Sequence, residues 1–111
     1  MQLYNKLSAN ERAEIIESAG KERLTLSFYQ YAQIGNPILF RNYLFLSWNS
    51  LDILGRIYVA NEGINAQLSV AAENFQHFKN HIDSIFFLKN VRLNIAVEQN
   101  NKSFLKLTIK V

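Results

Sequence analysis

The chain has 111 residues, of which 49% are hydrophobic, 13% aromatic and 19% charged, and its net charge is +3. A chain of this length and composition builds one hydrophobic core, so we predict a single folded domain and exclude disorder as its main state. The absence of cysteine excludes a disulfide scaffold and thiol catalysis within the chain. The sequence has neither a membrane-length apolar run nor a signal-peptide pattern, so we expect a cytoplasmic protein without membrane contact.

The positive charge is concentrated in the last third of the chain. Residues 1–78 hold six basic and seven acidic side chains, whereas residues 79–111 hold six basic side chains against Asp83 and Glu98. Lysines on strand edges and helix ends often do no more than interact with water. The alternative is that they bind a polyanion such as nucleic acid. Charge distribution alone leaves both interpretations open.

Residues 1–23 are predicted to form a helical extension that precedes the domain. Ser8–Glu11 has the spacing of a capping box, in which a serine oxygen and a glutamate satisfy free backbone amides. A short helix is therefore predicted over about 9–18, and Gly20 is placed to end it.

Residues 24–111 are predicted to form the domain itself. Apolar and polar residues alternate over 24–29, which indicates a strand with one buried face. Asn36–Pro37 is a typical helix start, and the helix is predicted to run to about residue 51. Its apolar stripe comprises Phe40, Leu44, Trp48 and Leu51, widened by Tyr43 and Phe45.

A hairpin is predicted in the middle of the chain. The alternating runs Arg56–Val59 and Ile64–Val70 are separated by Asn61–Gly63. This spacing predicts a three-residue loop with Gly63 in the left-handed conformation. The two strands are therefore predicted to be antiparallel neighbours.

The remaining pattern predicts the fold. Apolar spacing indicates a second helix over about 71–86, and residues 93–97 and 105–109 are predicted to be strands joined by a polar turn at 99–102. The sequence leaves the places of these two strands in the sheet open. The predicted order of elements is strand, helix, strand, strand, helix, strand. With right-handed crossovers, this order predicts an α+β fold, a ferredoxin-like (acylphosphatase-like) α/β sandwich. Two helices would cover one face of an antiparallel sheet and leave the other face open.

The open face would carry the residues that alternate with the core positions. These are tyrosines, amides, hydroxyls and cations, namely Tyr29, Tyr31, Arg56, Tyr58, Asn65, Gln67, Ser69, Lys106, Thr108 and Lys110. Tyrosine rings stack on bases while cations hold phosphates. The same residue types also anchor protein interfaces. We therefore predict contact with nucleic acid or with a second protein domain, and a merely solvated surface is the remaining alternative.

Several more specific functions are disfavoured. The strand Ile64–Val70 lacks the stacking aromatics of an RNA recognition motif, and Tyr31–Asn36 lacks the arginine of an acyl-phosphate cradle. His77 and His81 have the i, i+4 spacing of metal ligands but no third ligand, so we predict surface residues and no metal site. Glu62 has no identifiable partner for acid–base chemistry.

The hairpin and its flanks resemble a known family, the rhodanese-type bacterial tRNA uridine hydroxylases, in its N-terminal domain. The resemblance lies in Gly55–Gln67, Ser27–Tyr31, Val91–Ala96 and Lys102–Phe104, with Glu-Gly-Ile-Asn as its most specific element. It covers the chain from about residue 24 to 111, and the residues before 24 carry little of it.

The resemblance implies a two-part protein in which this domain precedes a rhodanese-like domain with a catalytic cysteine. Such proteins are similar in activity to oxygen-dependent hydroxylases that form 5-hydroxyuridine at the wobble position of certain tRNAs. Because the chain ends at Val111 without that domain, we expect a fragment that is not catalytic alone and holds no cofactor. It would bind or position tRNA for the downstream domain, or else dock on that domain and complete its active site without contacting RNA.

The resemblance also selects residues. The family motif corresponds to Arg56, Glu62, Gly63 and Asn65. No catalytic residue is expected in the chain. Independently of the resemblance, the tyrosine-rich open face and the basic last third predict contacts with RNA or with the second domain from Tyr29, Tyr31, Tyr58, Arg92, Lys106 and Lys110.

Overall fold

The structure is a computed structural model and describes residues 3–4, 23–97, 104 and 106–111. Within these residues, six strands and two α-helices are present. The strands are β1 (Leu3–Tyr4), β2 (Arg23–Tyr31), β3 (Leu54–Ala60), β4 (Gly63–Ala71), β5 (Asn94–Val97) and β6 (Leu107–Lys110). The helices are α1 (Pro37–Asn49) and α2 (Phe75–Asp83), and short 3₁₀ turns occur at Ala72–Asn74 and Phe86–Leu88.

The strands form one sheet in the order β1-β5-β2-β4-β3-β6. Along the series β5, β2, β4 and β3, each strand is antiparallel to the next, and α1 and α2 are the connections that cross between strands. This is the ferredoxin-like arrangement, and the predicted fold class is confirmed.

The sheet is mixed rather than wholly antiparallel, because β6 runs parallel to β3. After β5 the chain crosses to the opposite edge of the sheet and adds β6 outside β3 instead of pairing it with β5. Period-two alternation defines the faces of a strand but not its neighbour, so the expectation of an antiparallel sheet was wrong for this one pair.

The start of α1 follows from local chemistry. Asn36 Oδ1 accepts a hydrogen bond from the Leu39 backbone N–H at 3.0 Å, and Pro37 occupies the first helical position, where no N–H is needed. Both features were predicted. The helix ends at Asn49, two residues before the predicted end. The predicted helix over 71–86 is shorter as well, with α2 flanked by the two 3₁₀ turns.

One hydrophobic core lies between the sheet and the two helices. Trp48 of α1 and Phe78 of α2 are fully buried, with ring centroids 5.4 Å apart. The apolar positions of each central strand point to this core, including Leu24, Leu26, Phe28, Ile57, Val59, Ile64, Ala66, Leu68, Val70 and Ile95. We call the opposite side of the sheet, which the alternate residues of the same strands occupy, the open face. No described helix packs on it.

The predicted hairpin is present, and β3 and β4 are antiparallel neighbours. Its loop has two residues rather than three, because Gly63 already pairs with Ala60 as the first residue of β4. The φ angle of Gly63 is 158°, far from the left-handed value near +57°, so the predicted left-handed glycine is wrong. The loop is held against the end of β2 by hydrogen bonds from Ala32 N–H to Glu62 O (3.0 Å) and from Ile34 N–H to Asn61 O (2.9 Å).

At the other edge of the sheet, β1 pairs with β5 and so places a strand within the segment predicted to be a helical extension. The predicted helix over 9–18, with Ser8–Glu11 and Gly20, lies outside the described residues, as does the predicted turn at 99–102. Among the described helices, none is both long enough and apolar enough to cross a membrane.

Candidate interaction surface on the open face

Residues from four strands form two rows across the open face. In the first row, Asn65 of β4 faces Tyr29 of β2 on one side and Tyr58 of β3 on the other, and Tyr58 faces Lys110 of β6. The second row comprises Ser27, Gln67, Arg56 and Thr108 in the same strand order. Directly opposite residues in a sheet lie about 4.5–5.5 Å apart, so the two rows together form a continuous polar and aromatic surface.

The tyrosines of this face are solvent-exposed. Tyr29 is 52% exposed, Tyr58 47% and Tyr31 73%. The rings of Tyr29 and Tyr31 meet edge to face with centroids 4.8 Å apart. The pKa of Tyr29 is raised by its hydrogen bond with the Tyr31 side chain, then by local desolvation and by the electrostatic influence of Tyr31 and of the negatively charged Glu62. This phenol therefore stays neutral at physiological pH and is available for stacking and hydrogen bonding.

The four motif residues occupy different positions around this face. Asn65 lies at the centre of the first row and Arg56 lies in the second, and both are exposed. Glu62 is exposed in the hairpin loop, at the end of the sheet near Tyr29. Gly63 has a structural role, since a Cβ there would lie 2.3 Å from the backbone oxygen of Gln30.

The predicted contact residues Arg92 and Lys106 lie at the margins of the face. Arg92 is exposed just before β5 and, by alternation with Asn94, is on the same side as Ser27. Lys106 directly precedes β6, where its carbonyl accepts the Gly55 N–H, and it also lines a groove against α1. The structure thus brings Tyr29, Tyr58 and Lys110 together in one row and places Tyr31, Arg92 and Lys106 around it. The contact roles of all six remain predictions.

One open-face residue is not accessible. Ser69, predicted to lie on this face, is buried because Arg23 covers it. The Arg23 Nε–H donates to Ser69 Oγ at 2.6 Å, and Nη2 donates to the carbonyl oxygens of Ser69 and Asp52 at 2.8 Å each. Arg23 was not predicted to take part in the face. Arg23 stands at the start of β2, six residues before Tyr29, and the alternation of a strand places both on the same face. This pattern could have identified Arg23 from the sequence.

The two histidines differ from each other. His77 is exposed as predicted, whereas His81 is half-buried between the helices, so the prediction of a surface residue was wrong for His81. Trp48 Nε1–H donates to His81 Nδ1 at 3.0 Å, and His81 Nε2 lies 3.0 Å from the Tyr43 hydroxyl. Burial lowers the pKa of His81. The described residues contain no group of three metal-ligating side chains.

The arrangement of the open face suits binding. Exposed tyrosine rings can stack on planar groups, the Asn65 and Gln67 amides can donate and accept hydrogen bonds, and Arg56 and Lys110 can hold anions. Sequence patterning predicted these residue types on one face. Which of these residues lie opposite each other became clear only from the register of the strands in the structure.

Comparison with known proteins agrees with the fold. The family described as "UPF0176 acylphosphatase like domain" matches residues 23–111. The tRNA uridine(34) hydroxylase of Leptospira interrogans is 45% identical over 109 residues, which is 98% of this chain and 29% of the relative. The tRNA uridine(34) hydroxylase of Hamiltonella defensa is 42% identical over 110 residues, which is 98% of this chain and 31% of the relative. One from Escherichia coli is 38% identical over 110 residues, again 98% of this chain and 31% of the relative.

Two facts follow from these matches. The chain spans about 30% of the length of the curated relatives that it matches. The family match begins at residue 23, while the alignments with the relatives cover 98% of the chain. By the extent of the family match and the confirmed fold, the chain belongs to the UPF0176 acylphosphatase-like domain family, as the N-terminal domain of longer proteins.

Proposed function

We propose that this chain is the N-terminal accessory domain of a cytoplasmic tRNA uridine-34 hydroxylase and that its open face binds the tRNA. The relatives at 38–45% identity carry the name of that activity. The observation that carries the proposal is the exposed row Tyr29, Asn65, Tyr58 and Lys110, which the register aligns across four strands.

The chemistry of this row matches single-stranded RNA. Unstacked bases of a tRNA loop stack on exposed tyrosine rings, and an asparagine between two such rings can bond the edge of a base. Lys110 and Arg56 flank the rings and would hold phosphates. Such a face recognises an exposed loop of RNA, and the wobble position 34 lies in one.

In this proposal the chemical step belongs to the rest of the protein. The chain has no cysteine, while the rhodanese-like domain implied by the resemblance supplies a catalytic cysteine downstream. The chain itself holds no cofactor and takes no catalytic step. Its task is to hold the tRNA so that the uridine reaches the downstream active site.

Docking of the open face on the downstream domain without RNA is the weaker alternative. The two rows consist of polar and charged residues beside the tyrosines, whereas stable domain interfaces have apolar centres. Apart from Val111, the large exposed aliphatic side chains among the described residues lie elsewhere, on α1.

Titration of the 111-residue chain with tRNA at several salt concentrations tests the proposal through charge. Lys110→Glu should weaken binding and flatten the plot of log affinity against log salt by roughly 0.7–0.9, the slope of one phosphate contact. Lys89→Glu is the matched control, because it makes the same charge change at an exposed site outside the strands. Equal effects of the two variants, or no binding at low salt, would refute RNA binding by the open face.

A second titration tests the stacking contribution. Tyr58→Ala should weaken tRNA binding by about 1–3 kcal/mol, the usual loss of one stacked base, while Tyr58→Phe should keep most of the affinity because the ring remains. Circular dichroism confirms that both variants are folded. An unchanged dissociation constant for Tyr58→Ala would argue against stacking on this row.

A further inference from the structure

The outward side of α1 carries large apolar residues where a surface helix normally carries polar ones. Leu46 is 74% exposed, Leu39 64% and Ile38 56%, and Phe45 is exposed as well. Ile38 and Leu39 lie two helical turns before Phe45 and Leu46, so these pairs fall on one side of the helix. We call these four residues the outer face of α1.

The second helix provides an internal comparison. Both helices bury side chains in the same core, on the same face of the sheet. The exposed positions of α2 carry the polar side chains of Gln76, His77 and Asn80, and the Gln76 and Asn80 amides are joined by a hydrogen bond. In α1 the single charged residue is Arg41. A contiguous exposed apolar patch of this kind on a surface helix marks an interaction site.

Two grooves flank the outer face of α1 and enlarge it. The groove towards β6 has a volume of about 590 Å³ and is lined by Arg41, Asn42, Phe45 and Leu46 with residues 106–109. The groove on the other side, about 480 Å³, is lined by residues 33–36, Leu39, Phe40, Tyr43 and Phe87. A helix crest between two grooves is the shape that receives side chains of a packed partner.

The length of the relatives indicates what covers this surface. About 70% of each relative lies beyond the match, and the matched part is the N-terminal domain, so the longer chains continue past the position of Val111. Val111 directly follows β6, which forms one wall of the larger groove. The continuing polypeptide would therefore leave this domain beside the outer face of α1.

We propose that the outer face of α1 is the docking surface for the domain that follows Val111 in the full-length protein. The partner surface would present aliphatic and aromatic side chains to Leu39, Phe45 and Leu46, and a carboxylate to Arg41 at the groove. This proposal is independent of RNA binding, because it concerns the helix side of the molecule and not the open face.

Cysteine labelling tests the proposal directly, since the chain has no native cysteine. Leu46→Cys is introduced into the 111-residue chain and into a full-length protein in which this chain replaces the matched segment of the Leptospira interrogans relative. Gln76→Cys, an exposed position on α2, is the matched control. Maleimide labelling of the peptide that contains each cysteine is followed by mass spectrometry.

Labelling at position 46 should be at least about tenfold slower in the full-length protein than in the short chain. This factor corresponds to a free energy of about 1.4 kcal/mol for exposing the docked residue. Position 76 should react at the same rate in both proteins. Equal rates at position 46 would overturn the proposal. Protection already present in the short chain and dependent on its concentration would also overturn it, because a second copy would then cover the face.

A stability measurement gives an independent readout. Leu46→Gln should leave the melting temperature of the short chain nearly unchanged, because the side chain is exposed there. In the full-length protein the same substitution should lower the melting temperature of this domain by about 2–8 °C, since it removes a buried apolar contact. Equal shifts in the two proteins would contradict docking through α1.

Discussion

Gly63 is held against β2 with no room for a side chain. A Cβ at this position would lie 2.3 Å from the backbone oxygen of Gln30 and 3.2 Å from the Tyr31 Cα. Backbone atoms cannot move aside as the end of a flexible side chain can. The glycine of the family motif is therefore explained by close packing between β4 and β2, at the point where the hairpin loop meets the tyrosines of the open face.

Gly63→Ala should destabilise the domain by about 1–3 kcal/mol, the usual cost of overpacking. Urea unfolding followed by Trp48 fluorescence measures this change. Gly35→Ala is the control, because nothing lies within 4 Å of a Cβ at position 35, and it should be nearly neutral. Equal stability of the two variants would show that β2 and β4 separate easily at this end.

At the scale of elements, a series of polar contacts between side chains joins the two helices. His81 of α2 accepts the Trp48 Nε1–H through Nδ1 and contacts the Tyr43 hydroxyl through Nε2. The bond from Trp48 requires an unprotonated Nδ1, so the folded state favours neutral His81. Burial acts in the same direction and lowers its pKa. The apolar stripe of α1 predicted a buried Trp48 but not the partner of its N–H group.

This arrangement predicts acid sensitivity. Below the ordinary histidine pKa of about 6.5, the unfolded chain binds a proton at position 81 that the folded chain resists. The contribution of His81 to the free energy of unfolding should therefore be at its maximum above that pH. It should decrease as the pH is lowered towards the depressed pKa of His81. His77→Gln should keep this dependence, because His77 is exposed.

His81→Ala should lose that component of the pH dependence and, at pH 7.5, cost about 1–3 kcal/mol, because the Trp48 N–H is left without its acceptor. Urea unfolding at a series of pH values measures both effects. A His81→Ala variant with the same pH profile as the parent chain would exclude His81 as the group responsible.

At the scale of the whole molecule, the two proposed surfaces lie on opposite layers. The open face is one side of the sheet, and the outer face of α1 lies beyond the core on the other. Substitutions at distant sites without shared partners act independently. Leu46→Gln should thus leave the tRNA dissociation constant within about twofold of the parent value.

The converse measurement completes this prediction. Tyr58→Ala should leave the maleimide protection of Leu46→Cys in the full-length protein unchanged. Coupling in either direction would mean that RNA binding and domain docking use one surface, and would favour the alternative in which the open face itself contacts the downstream domain.

The features that the sequence determined by itself are those set by near neighbours. Alternation over residues 24–29 and 64–70 placed apolar side chains on one face and tyrosines, amides and cations on the other, and Asn36–Pro37 began α1 where predicted. The close spacing of β3 and β4 made their pairing predictable. Family membership followed from the motif residues, although their roles did not.

Other features were decided only in the tertiary structure, because they depend on residues far apart in sequence. Alternation cannot specify a neighbour, so the parallel addition of β6 outside β3 was not predictable. The outward position of Leu39 and Leu46, the cover of Arg23 over Ser69 and the contact of His81 with Trp48 each depend on how whole elements pack. Local pattern defines which face of a strand or helix is apolar, whereas long-range packing decides which of those faces remains uncovered.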